Sequence, residues 1–82
     1  MRERRQYGDK NLIGKNIYRL RMARHMKQHE LLAQLQVRGI DISPTSLSDL
    51  IGQNRSASDK EIIALMDIFH VSFETLIGKE ES

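Results

Sequence analysis

Apolar residues return along this chain at three- and four-residue intervals almost from end to end, the pattern of helices that bury one face. Ile13, Ile17 and Leu20 stand at i, i+4 and i+7. That spacing predicts a first helix over about residues 12–24, with Asn11 as its candidate N-cap. Lys15, Arg19 and Arg24 fall on its other flanks. His25-Met26-Lys27 reads as a tight connection with Met26 turned inward. A second helix follows over 28–36, with Leu31, Leu32 and Leu35 as its buried stripe.

The rhythm then breaks at "VRGIDIS". Gly39 can take a positive φ at little cost, and Ile40 and Ile42 alternate around Asp41 as an extended connection would. No second run of this kind exists to pair with it, so the segment is read as an ordered loop whose isoleucines seal one edge of the core. Ser43-Pro44 marks a new start, a hydroxyl cap followed by proline where a helix needs no amide donor. The third helix, 44–51, carries Leu47, Leu50 and Ile51 and is expected to stop at Gly52. After the polar "QNRSA", Ser58-Asp59-Lys60-Glu61 forms a capping box with acids in the first turn. It opens a fourth helix with Ile62, Leu65, Met66 and Phe69 inward. His70-Val71 is a turn, Ser72 caps a fifth helix over 73–77, and Gly78 closes it. The expectation is an all-α chain of five short helices around one small core.

Eighty-two residues suit a single domain close to the lower size limit for a self-sufficient core. The chain has no Cys, which removes disulfides and thiolate metal sites and makes a reducing cytoplasm the expected setting. No apolar run approaches a membrane span, since Asp67 interrupts "EIIALMDIF", and "MRERRQYGDK" lacks the apolar stretch of a signal peptide. The net charge of +2 conceals an asymmetry: residues 1–27 hold nine Lys/Arg against Glu3 and Asp9, while the remainder holds four against nine acids. An anionic partner would therefore feel the arm and first helix most. His25 and His29 are four apart, but a helix break is expected between them and no third ligand is evident; neither a metal nor a cofactor is expected. Without a Gly-rich phosphate loop, a nucleophile beside a base or a carboxylate pair, the chain reads as a non-enzyme.

The residues "IGKNIYRLR", then Gln28 with "ELL", then "SPTSLSDLIGQNRSASDKEIIALMDIFHVSFETLIG" give an order of helices and spacers that resembles the lambda-repressor/Cro-type helix-turn-helix family, the Xre family. The resemblance covers about residues 12–78 and is most specific at the closing "VSFETLIG". It implies a compact five-helix lambda-repressor-like domain over 12–78, with a basic, flexible arm over 1–11 and a tail over 79–82. It further implies a small transcriptional regulator, commonly a homodimer, that binds double-stranded DNA with its third helix in the major groove. Pro44, Thr45, Ser46, Ser48 and Asp49 would then face base edges. Lys27 and Gln28 at the second helix's start, and Gln53, Asn54 and Arg55 past the third, would face phosphates. Independently of the resemblance, free amides and a positive dipole end make a helix N-terminus an anion site.

Three departures from the family pattern stand out. The connection between the second and third helices is about five residues longer than the usual tight turn, as in a long-loop branch of the family. Leu32 occupies a position usually held by a small residue, where it would overpack a close crossing unless the longer loop lets the helices separate. Arg21 matches an arginine that often pairs with a glutamate, whose place is taken here by Ile51. The third helix also carries Asp49 and no basic side chain. Thr, Ser, Asp and a proline ring can each contact base edges, but none makes the bidentate arginine-to-guanine pair. A second function therefore stands beside the first: a protein-interaction module of the same fold, antitoxin-like or a phage regulatory partner.

Overall fold

Four helices of this chain begin where a side-chain acceptor takes up amide groups that a first turn leaves without intrahelical partners. In the computed structural model, which describes residues 8–79, the helices are α1 (Gly14–Ala23), α2 (Gln28–Val37), α3 (Pro44–Ile51), α4 (Asp59–Phe69) and α5 (Phe73–Ile77). Ser43, Ser58 and Ser72 each accept from the amide three residues on, at 3.1 Å. Asn11 caps α1 from a distance, its Oδ1 accepting from the Ile13 and Gly14 amides at 2.9 Å. The helix accordingly starts later than the expected residue 12. No strand forms among the described residues, and "VRGIDI" is loop. The part of the expected arm that carries Arg2, Arg4 and Arg5, and the tail beyond Lys79, lie outside the described residues.

The helices close on one core. α1 packs against α3 and α5, α2 against α3 and α4, and α4 against α5. Ile13, Ile17, Leu31, Leu35, Leu47, Leu50, Ile51, Leu65, Phe69 and Leu76 are fully or almost fully buried, with Ile42 from the long loop beside them. Leu20, Leu32, Ile40, Ile62 and Met66 reach the core only in part. A radius of gyration of 11.9 Å fits the roughly 12 Å of a single compact body of this length. The loop earns its order from three bonds: Gly39 N–H to Gln36 O, Ile40 N–H to Leu35 O, and the Gln36 side chain to Ile42 O. Arg38 then ties the end of α2 to Asp67 of α4 at 2.8 Å.

The end of α3 departs from expectation. Gly52 keeps a right-handed φ of −78°, and the left-handed residue is Gln53, at φ 62°. Gln53 tolerates this conformation because its side chain is buried and donates from Nε2 to Asn11 O at 2.6 Å. The segment before α1 lies along this end: the Gly8 amide donates to Gly52 O and the Lys10 amide to Gln53 O. A β-carbon at Gly8 would run into the Gln53 carbonyl, and one at Gly14 into the Ile51 carbonyl, so both approaches require glycine. Asn11 completes the join by donating to Leu50 O at 3.0 Å and Arg55 O at 2.7 Å. Its amide group thus fills all four of its hydrogen-bonding positions across α1, α3 and the loop after α3.

Asn11→Ala strands two carbonyls and two amides at once. It should lower unfolding stability by about 2–3 kcal/mol, read as a shifted midpoint in denaturant with unchanged slope. Asn11→Asp keeps the acceptor half and should lose less. Equal midpoints for wild type and Asn11→Ala would remove this residue from the account.

Candidate nucleic-acid interface

The start of α2 and the start of α3 lie side by side on one edge of the molecule. Lys27 stands at the α2 N-cap in extended conformation, and its amide donates to Glu30 Oε1 at 2.7 Å. This leaves the first-turn amides of Gln28 and His29 directed out of the helix. Gln28 reaches across to α3, its Nε2 donating to Ser48 Oγ at 2.9 Å. On α3, Pro44, Thr45 and Ser48 are exposed, while Ser46 and Asp49 are half-buried. Five of the residues singled out from sequence therefore share one surface: Lys27, Gln28, Pro44, Thr45 and Ser48. Ser46 and Asp49 stand at its margin.

The three residues past α3 divide. Asn54 is exposed, held by its amide on Asp49 O at 2.8 Å. Gln53 points inward to Asn11, as described. Arg55 is also turned in: its Nε donates to Ser46 O at 3.1 Å, and its two Nη groups clasp the carboxylate of Glu61 at 3.0 and 2.8 Å. Nη1 serves Ser56 O as well. A guanidinium with four bonds to its own fold has one N–H left to offer a phosphate. Of the five residues expected to face phosphates, Gln53 and Arg55 are bonded to the chain itself.

Glu61 is the residue that sequence reasoning left as a mere cap. It is 7 % exposed. Its Oε1 also accepts from the Ser58 amide at 2.9 Å. Burial by itself pushes this carboxyl up. The hydrogen bonds from Arg55 and Ser58, with the Arg55 charge, outweigh that cost and hold its pKa below the usual glutamate range. The signal available in sequence was a capping-box glutamate six residues after an arginine, across a loop too short to hold them far apart.

Arg21 donates from Nη1 to Met26 O at 2.8 Å and lies over the Tyr18 ring. Leu32 is half-buried and packs against the core. With Gln28, His29, Pro44 and Leu47 it lines an open notch of about 240 Å³. A larger groove of about 530 Å³ lies at the other end of α2, bounded by Arg38, Ile40, Ile63 and Asp67. Among the described residues no three His, Cys, Asp or Glu gather closely enough to hold a metal, and no helix is long and apolar enough to cross a membrane. The chain matches no protein-family model, no curated protein and no solved structure.

A folded pKa below the unfolded one means that Glu61 adds stability above about pH 4.3, its unfolded value, and loses it as pH falls through the lower folded value. Glu61→Gln should therefore flatten the acid limb of the stability profile. At pH 7, Arg55→Ala should cost about 2–3 kcal/mol, between a surface pair and a fully buried one. An acid limb unchanged by Glu61→Gln would show that other carboxylates govern it.

Proposed function

We propose that this chain is a small DNA-binding regulator of the helix-turn-helix kind, a binding protein rather than an enzyme, which lays α3 in the major groove of double-stranded DNA. The observation that carries this reading is the Gln28–Ser48 bond. It holds the outward amides of one helix start beside the exposed polar face of the next, so that an anion site and a base-reading face are presented together. Pro44, Thr45 and Ser48 meet base edges, with Ser46 and Asp49 at the border; Lys27, Gln28 and Asn54 meet phosphates. Such phosphate contacts position the protein, and base contacts specify sequence. The proposal includes a homodimer. Leu12 and Phe73, 68 % and 43 % exposed, form with Ile62 and Ile77 an apolar surface around a shallow groove, on the α1–α5 side.

One observation favours the second reading, a module of this fold that binds a regulatory protein. Arg55 and Gln53 are committed to the fold, and α3 has no basic side chain.

Titration of random duplex DNA across a salt series separates the two. A phosphate-binding regulator loses affinity log-linearly with salt, at about −0.9 per phosphate neutralised. Absence of binding to any duplex pool at low salt would overturn the DNA reading and leave the protein-binding one. In a selection from the same pool, Asp49→Ala should change which sequences are preferred. A uniform gain in affinity would instead make Asp49 a simple source of repulsion from phosphates.

A further inference from the structure

We infer that the notch between α2 and α3 receives the C5-methyl edge of a pyrimidine, thymine or 5-methylcytosine, and so sets part of the sequence preference; this rests on the DNA-binding reading above. Half-buried Leu32 and the exposed Pro44 ring line it, with buried Leu47 behind them. Gln28 and His29 stand at the rim. Leu32, which departs from the family pattern, and Pro44, which begins α3, both line it.

The occupant follows from what lies beside the apolar surface. In a B-form duplex the pyrimidine C5 position projects into the major groove close to its own strand's phosphates. A surface complementary to it needs an apolar recess next to an anion site. Here the recess adjoins the first turn of α2, with the Lys27 side chain exposed and the Gln28 and His29 amides directed outward. The Gln28–Ser48 bond closes one side with polar groups and fixes the spacing between the two features. A buried methyl is worth a few-fold in affinity by itself. This gives a helix without arginine or lysine a means to distinguish one base pair from another, since thymine displays its methyl only in the major groove.

The test places the change in the DNA, so the folding of the protein is untouched. A preferred duplex is selected from a random pool, and each thymine is replaced singly by deoxyuridine, which removes the methyl and keeps every hydrogen-bonding group. At one position per half-site the affinity should fall about three- to fivefold. With Pro44→Ala or Leu32→Ala protein, the difference between the two duplexes should shrink toward onefold. Putting C·G at that position, with and without a C5 methyl, identifies the source. Recovery on methylation extends the notch to 5-methylcytosine, and no recovery confines it to thymine; either result keeps the assignment. Equal affinity for all thymine and deoxyuridine duplexes overturns it and leaves the notch to a protein side chain. So does a loss that persists unchanged in both variants. Absence of binding to any duplex overturns the DNA reading itself, a different result from binding that ignores the methyl.

Discussion

The exit from α3 is pinned by donors from near and far. The Gly52, Asn54 and Gln53 amides serve Ser48 O, Asp49 O and Leu50 O, while Asn11 reaches Leu50 O and Arg55 O and the Gly8 and Lys10 amides reach Gly52 O and Gln53 O. Arg55 adds a bond to Ser46 O from the opposite side and is itself anchored on Glu61 at the start of α4. The short third helix is thus held at its exit by the entry to α1 and the entry to α4. Its outer face is tied to α2 by the bond from Gln28 to Ser48. The cost is visible in Gln53, which takes a left-handed φ and buries an Oε1 that has no partner among the described residues.

Much of this architecture was legible because helix starts are local events. Ser43-Pro44 and Ser72 place α3 and α5 at the expected bounds, since a hydroxyl cap and the amide it binds lie within one turn. Of the stripes expected from spacing, Ile13, Ile17, Leu65 and Phe69 are buried, whereas Leu20, Ile62 and Met66 reach the core only in part. What sequence reasoning missed is long-range pairing. Nothing within a few residues of Gly52 says that the next residue will carry the positive φ; that depends on a buried bond from Gln53 to Asn11, 42 positions away. Arg55 looked like a surface cation because its neighbours are polar, and only the fold brings it against the Glu61 carboxylate. The candidate interface was read with the same unevenness. Residues on the α2 and α3 starts came out on one surface, whereas two of the three after α3 did not.

The fate of the arginines bears on how an anionic partner would be met. All five within the described residues donate to groups of the chain: Arg19 to Asn16, Arg21 to Met26 O, Arg24 to Phe69 O, Arg38 to Asp67 and Arg55 to Glu61. The acceptors differ in a way that matters. Arg38 and Arg55 meet carboxylates, which cancel their charge. Arg19 and Arg24 meet neutral oxygens, which orient the guanidinium and leave its charge in place. Their charge therefore survives folding as a field, while the two heads are tethered to the chain.

On the proposed reading, a tethered field and a reading face without basic groups would divide the work of binding. Long-range attraction needs only net charge near the surface, which α1 would supply under that reading. Discrimination needs short-range contacts that differ among base pairs, and the α3 start offers hydroxyls, one carboxylate and an apolar notch. Hydroxyls bond several bases indifferently. The notch cannot gain from a group that lacks a methyl. Apolar contact is thus the feature on this face whose energy depends most sharply on which pyrimidine lies opposite, and it is also the feature least affected by salt. Affinity and preference in this chain should accordingly respond to different variables, the first to ionic strength and the second to the chemistry of a single carbon.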